Sequence, residues 1–175
     1  MSGGKRFVLD ANVFIQAHRS YYAFDTCPGF WDALVRQHDA KRLCSIDRIR
    51  DELLEIDDKL QAWVRDTAPD TFFKGTADKR VVDAYREIAN WVQNEPQFTS
   101  DAKAQFLAGA DGWLVAFAKA YGMVVVTHEA LAPDAITRVP LPNVCIEFGV
   151  DYCNTFELLK DLGEQFVLRH RAPKK

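Results

Sequence analysis

The chain alternates between short apolar runs and longer stretches with helical periodicity. Residues 7–9 and 123–127 are almost entirely apolar, as expected of strands buried on both faces of a parallel sheet. Elsewhere apolar residues recur every three or four positions, as at Ile49, Leu53 and Ile56, which predicts amphipathic helices. The predicted helices are 12–20, one beginning at residue 28, 46–57, 60–64, 77–94, 100–108, 110–121 and 154–162, and the predicted strands are 7–9, 41–45, 123–127 and 143–148.

This order of elements predicts an α/β fold. Helices that alternate with short buried strands favour a central, mostly parallel sheet covered on both faces, although the pattern alone also permits other doubly wound folds. Residues 19–27 are predicted as an aromatic loop and residues 69–76 as irregular. At 175 residues we expect one domain, with a core over about 6–162 and a basic tail over 163–175.

Composition narrows the class of protein. The net charge of −3 argues against a protein that coats nucleic acid by charge alone. The four cysteines are scattered without a C-x-x-C pair, so we expect neither a zinc site nor a disulfide framework. The first residues are too weakly apolar for a signal peptide, and no run reaches membrane-spanning length. We therefore expect a cytoplasmic protein with no membrane association.

Four acidic residues stand where such a fold places functional groups. Asp10 directly follows the first strand, Glu52 lies on the helix after the second, Asp111 begins a later helix and Glu129 follows the strand at 123–127. Ligands of open α/β sheets bind at the carboxyl ends of the strands. Seen singly, acids early in helices are more often structural, since they favour the helix dipole. Asp10 is harder to explain this way, since an acid beside a buried strand is costly unless it is paired.

The residues L-D-A-N-V-F-I at 9–15 resemble the opening of PIN-domain nucleases, a superfamily that includes many bacterial toxins. The resemblance extends over about residues 6–150 and includes G-A-D-G-W-L-V-A at 109–116. It implies a three-layer α/β/α fold and a metal-dependent endoribonuclease that hydrolyses phosphodiester bonds by two-metal in-line water attack. Asp10, Glu52, Asp111 and Glu129 would be the catalytic and metal-binding residues, for Mg²⁺ or Mn²⁺.

The polar residues around these acids have open assignments. Asn12 and Thr127 match the positions that support the PIN site, but a helix N-cap or a strand-end threonine explains them equally well. PIN proteins more often carry Asp where Glu129 stands, so Asp134 is an alternative fourth acid. His128, between Thr127 and Glu129, is left unassigned.

Residues 18–22 and 27–31 resemble a less-studied PIN-like subgroup, whose activity is inferred from the fold. The resemblance implies an RNA substrate, a cognate antitoxin and a homodimer as partners. Arg19, Arg169 and Arg171 are candidate substrate contacts. The aromatic residues Tyr21, Tyr22 and Phe24 suit either base stacking or core packing.

Two other functions remain open. A non-catalytic PIN-like scaffold could bind RNA or protein, although the three leading acids argue against it. A haloacid-dehalogenase-like phosphatase also carries an Asp after its first strand, but its chemistry needs a second Asp two positions later, where this chain has Asn12.

Overall fold

A computed structural model of the protein describes residues 4–168. Within that range, five parallel strands form one sheet in the order β3-β2-β1-β4-β5. The strands are β1 Phe7–Leu9, β2 Leu43–Ile46, β3 Phe73–Lys74, β4 Val124–Val126 and β5 Tyr152–Cys153.

Helices flank the sheet on both faces, which gives the PIN-like three-layer α/β/α architecture. The helices are α1 Ala11–Gln16, α2 Pro28–Asp39, α3 Asp47–Leu54, α4 Lys59–Asp66, α5 Lys79–Asn94, α6 Ser100–Ala108, α7 Asp111–Tyr121, α8 Leu141–Glu147 and α9 Thr155–Leu162. None of these helices is long and apolar enough to cross a membrane.

The central strand β1 orients the rest of the sheet. All three of its side chains are fully buried, and burying one Phe or Leu contributes about 1.5–3 kcal/mol. Phe7 pairs with Leu43 on one side and with Val124 on the other. The ladder continues one residue further, where the backbone N–H of Asp10 donates to the carbonyl of Val126 at 3.0 Å. Asp10 is therefore held at the carboxyl edge of the sheet.

The packing of α5 against α7 positions the start of α7. Helix α5 buries one stripe of side chains at Val81, Ala84, Ile88 and Val92. Next to this stripe, Tyr85 stacks on Trp113 with ring centroids 3.8 Å apart. A Cβ at Gly112 would lie 3.0 Å from the Tyr85 ring and 3.1 Å from the Phe106 ring, so glycine permits this close approach.

The prediction of a strand at residues 143–148 is wrong. This segment is helix α8, which begins beside Pro142 and buries Leu141, Val144 and Cys145. That i, i+3, i+4 spacing is helical, although a short apolar run cannot be assigned by periodicity alone. The fifth strand is Tyr152–Cys153, and the segment predicted as irregular contains β3.

The start of α1 also differs from the prediction. Asp10, not Asn12, is the N-cap, since its Oδ1 accepts a hydrogen bond from the N–H of Ala11 at 2.7 Å. Helix α1 then continues as a π-helical turn over Ala17–Tyr21, so the predicted aromatic loop begins only after Tyr21.

Part of the predicted basic tail is docked on the fold. Glu164 pairs with Arg36 at 2.5 Å and accepts a hydrogen bond from Gln37 at 2.7 Å. Phe166 packs near the rings of Tyr22 and Phe30. These contacts join residues 164–166 to α2 and the loop before it.

Candidate active site at the carboxyl edge of the sheet

The four predicted acids come from four different chain segments and converge on one edge of the sheet. Asp10 follows β1 and Glu129 follows β4, and these two strands are neighbours. Asp111 is the first residue of α7, and Glu52 lies on α3. The charges are close enough to interact, because Glu129 raises the pKa of both Asp10 and Asp111, and Glu52 raises that of Asp111.

Asp10 is the most deeply buried of the four. Its exposed fraction is 4%. Burial first, and then repulsion from Asp111, raise its pKa to about 8, against the opposing effect of a hydrogen bond from Thr127. A carboxyl group with this pKa is largely protonated at neutral pH unless a cation compensates its charge.

Thr127 fixes the orientation of Asp10 and uses its full hydrogen-bonding capacity. Its hydroxyl donates to Oδ2 of Asp10 at 2.9 Å and accepts from Nδ2 of Asn12 and from the N–H of Glu129, both at 3.1 Å. The Oδ1 of Asn12 in turn accepts from the N–H of His128 at 3.0 Å. Asn12 and Thr127 therefore connect the turn after β1 with the turn after β4.

Asp111 faces the same site from α7. The pKa of its carboxyl is raised to about 7 by burial and by repulsion from Glu129 and Glu52. The start of a helix normally favours the ionised form, so the unfavourable effects dominate here. Gly112 permits this placement, since any larger residue would meet Tyr85 and Phe106.

Glu52 approaches the site from the more solvated side. Its Oε1 accepts a hydrogen bond from the N–H of Ala110 at 3.1 Å, directly before Asp111. The residue is exposed overall, yet desolvation of the carboxylate on its inner side raises its pKa. Glu52 thus contacts the segment that begins α7.

Glu129 borders a small cavity of about 230 Å³ that Asp111 also lines. Its Oε2 accepts a hydrogen bond from the N–H of Leu141 at 2.9 Å and lies 3.8 Å from Arg138. Arg138 lines the same cavity, with 53% of its side chain exposed. Arg138 was not predicted from the sequence, since a single arginine in a loop carries no motif.

The donor set fits a hard divalent cation. All four groups are carboxylates, the ligands that Mg²⁺ and Mn²⁺ prefer, and within residues 4–168 Asp111 accepts no hydrogen bond that a metal ion would have to replace. As the side chains stand, no three Asp, Glu, His or Cys groups within residues 4–168 already form a metal-ligating cluster. Asp10 and Glu129 are instead turned toward protein donors.

The remaining predicted residues lie in different surroundings. Asp134 is exposed and is not among the groups that raise the pKa of Asp10 or Asp111, so the structure brings Glu129, not Asp134, to the site. Arg19 is exposed on the π-helical turn. Arg169 and Arg171 lie outside the described residues.

His128 has a defined place beside the site. Its Nε2 lies 2.8 Å from the hydroxyl of Thr155, and burial lowers its pKa. The imidazole is therefore predominantly neutral at pH 7.

A larger cavity of about 660 Å³ lies at the opposite edge of the sheet. It is bordered by Arg6, Leu43 and Met123, which are at or before the amino ends of strands, and it contains none of the predicted site residues. Because ligands of parallel sheets bind at the carboxyl edge, the smaller acidic cavity is the stronger candidate for chemistry.

Comparisons with known proteins agree with the architecture. A family model described as "Domain of unknown function (DUF4411)" matches residues 7–166. No curated protein matches the sequence. The crystal structure of FitAcB from Neisseria gonorrhoeae is similar over 86% of this chain and 98% of that chain, with a TM-score of 0.52 and 14% sequence identity. At this identity the similarity shows the fold alone.

Proposed function

The chain belongs to the DUF4411 family, and from its acidic site and PIN-like architecture we propose that it is a metal-dependent endoribonuclease. One observation carries the proposal: Asp10 and Asp111 are close, poorly solvated carboxylates whose pKa values are raised to about 8 and about 7. Holding two such groups together is unfavourable for folding. A function that supplies a cation explains why the fold keeps them, and perturbed acids in a cleft are typical of active sites.

The chain's own residues would position the reacting groups. Thr127 and the N–H of Ala11 hold the two oxygens of Asp10 in fixed directions. Asp111 is held by the packing of α7, and Glu52 and Glu129 add charge on either side. Divalent ions held there would activate a water molecule and stabilise the leaving oxygen of a phosphodiester. Arg138, beside Glu129, is placed to contact a substrate phosphate.

The biological role follows from the sequence resemblance to PIN toxins. We propose that the protein acts in the cytoplasm as the toxin of a toxin–antitoxin pair and is controlled by a cognate antitoxin protein. The PIN-like fold supports this proposal, as does the similarity of its architecture to FitAcB over most of both chains. A homodimer remains a prediction from the same resemblance.

The structure gives a reason to rank the phosphatase alternative lower. The side chain at position 12 bonds to Thr127 and to the backbone of His128. It therefore links two turns instead of offering a second acid beside Asp10. The scaffold alternative differs from the nuclease in one measurable property, since it binds RNA without cutting it.

The test is RNA cleavage by the purified full chain with Mn²⁺ and with EDTA. We expect cleavage of single-stranded RNA only with the metal, leaving 5′-phosphate and 3′-hydroxyl ends. Glu52→Gln should reduce the rate on the order of 10²-fold, while the matched control Asp51→Asn, an exposed neighbour on α3, should not. Activity in EDTA, 2′,3′-cyclic phosphate ends, or equal rates for the two variants would reject the proposed chemistry.

A further inference from the structure

Three aromatic rings lie together beside the acidic site. Tyr21 is 6.1 Å from His128 and 5.3 Å from Phe156, measured between ring centroids, and His128 is 5.9 Å from Phe156. They come from the π-helical turn after α1, the turn after β4 and the first turn of α9. We call this group the aromatic platform.

Two of the platform's three rings are exposed, unlike Tyr22 and Phe24 in the neighbouring segment. Tyr22 stacks on Phe30 at 4.6 Å, and Phe24 stacks on Trp31 at 4.1 Å, so both contribute to internal packing. Tyr21 and Phe156, in contrast, are 53% and 41% exposed. Of Tyr21, Tyr22 and Phe24, the three candidates for base stacking, the structure leaves Tyr21 available for a ligand.

The platform is tied to the acidic site by short links. The N–H of His128 donates to Asn12, and Asn12 donates to Thr127, the residue that holds Asp10. The other side of His128 is fixed by Thr155, which directly precedes Phe156. The position of the platform relative to Asp10 is therefore set by one hydrogen bond to the backbone of His128 and one to its imidazole.

We propose that an unpaired nucleobase of the RNA substrate stacks on the aromatic platform, which positions the RNA strand for cleavage. This inference rests on the nuclease function proposed above. Stacking on aromatic side chains tolerates every base, because every base has a π face. The bases of a duplex are already stacked, so the platform selects single-stranded or looped RNA.

The test uses a short RNA that carries a single 2-aminopurine, whose fluorescence falls when the base stacks. The titrated protein is full-length Asp111→Asn with Mn²⁺, because loss of this acid limits cleavage of the RNA during the measurement. We expect quenching on binding, and Tyr21→Ala in this background should abolish the quenching and weaken RNA binding about 5- to 150-fold, the range of one lost stacking contact. Tyr21→Phe keeps the ring and should bind normally.

Two controls separate stacking from general damage to the fold. Leu131→Ala removes an exposed apolar side chain outside the platform and should change neither quenching nor affinity. Phe156→Ala tests the platform from another helix and should repeat the effect of Tyr21→Ala, with melting measured for each variant. An RNA with an abasic site at the stacked position should bind weakly to the parent protein. Adding Tyr21→Ala should reduce its affinity little further, because both changes remove the same contact.

The outcomes separate the platform from the nuclease chemistry. Unchanged affinity and quenching in both Tyr21→Ala and Phe156→Ala would overturn the platform, even if the wild-type protein cuts RNA. No RNA binding by the parent, or an altered oligomeric state as the only effect of Tyr21→Ala, would overturn it as well. Ring-dependent quenching without metal-dependent cleavage by the wild type would support the platform and reject the nuclease.

Discussion

Replacing Asp111 by Asn distinguishes an active-site carboxylate from a merely structural one. The substitution keeps the shape of the side chain and removes its charge from the neighbourhood of Asp10, Glu129 and Glu52. If the acids form a crowded site, the metal-free protein should become more stable while metal affinity and cleavage fall. If Asp111 serves only as a favourable first-turn acid of α7, stability should fall slightly and any activity should persist.

The size of the effect follows from the pKa of Asp111, which is about 7 in the fold against an ordinary value of 3.8. Asp111 therefore does not lower the free energy of unfolding below about pH 4, and it lowers it progressively as the pH rises from there through 7. Because one pKa unit corresponds to about 1.4 kcal/mol, Asp111 destabilises the fold by at most roughly 4 kcal/mol. The Asn amide is itself partly buried without a partner, so we expect a net gain of about 1–2 kcal/mol at pH 8.

The assay is thermal melting in EDTA at pH 5 and pH 8, for the wild type and for Asp111→Asn. A gain of this size corresponds to an increase in Tm of about 3–6 °C for a protein of this length, and the increase should be smaller at pH 5, where Asp111 is mostly protonated. Asp70→Asn removes an equal charge from an exposed position and should give no pH-dependent gain. A variant that is less stable at pH 8, or that cuts RNA normally, would refute the proposed site.

Other perturbations test the same arrangement. Mn²⁺ should raise the Tm of the wild type, and more at pH 8 than at pH 6 because binding requires ionised Asp10; an equal shift in Asp10→Asn would place the metal elsewhere. Thr127→Val removes the donor to Asp10 and leaves two N–H groups unpaired, so urea denaturation should show a loss of about 1–3 kcal/mol, whereas an unchanged midpoint would contradict the network. Gly112→Ala should lower the cleavage rate by displacing the start of α7 from Tyr85, and full activity would show that the contact relaxes freely. Deleting residues 169–175 removes four basic residues and should raise the KM for RNA and flatten its salt dependence; a loss confined to kcat would contradict a role in binding.

Local periodicity was sufficient for most helices of this chain. The predicted helix at 77–94 corresponds to Lys79–Asn94, and the one at 110–121 corresponds to Asp111–Tyr121. Their apolar stripes repeat over several turns, so the period is unambiguous. The strand at 7–9 was equally clear, because its apolar run is followed at once by an acid and a new helix.

Short elements depended on the tertiary structure. β3 and β5 are two residues long and exist through pairing with β2 and β4, which no local pattern reveals. The run at 143–148 has too few turns for its period to be read, and burial of Leu141, Val144 and Cys145 selects the helix. The aromatic residues near position 21 were similarly undecided until Tyr22 packed on Phe30 and Phe24 on Trp31, while Tyr21 stayed exposed.

The sequence by itself determined which acids to consider, since chain order places Asp10 and Glu129 after buried strands and Asp111 at a helix start. Only the tertiary structure decided how they interact, because the repulsion between Asp10 and Asp111 depends on their distance and burial, and these two residues are far apart along the chain. It also made Asp10 a helix cap, brought Glu129 and not Asp134 to the site, and added Arg138. Periodicity is a local property of the chain, whereas charge interactions and solvation arise only after folding brings distant segments together.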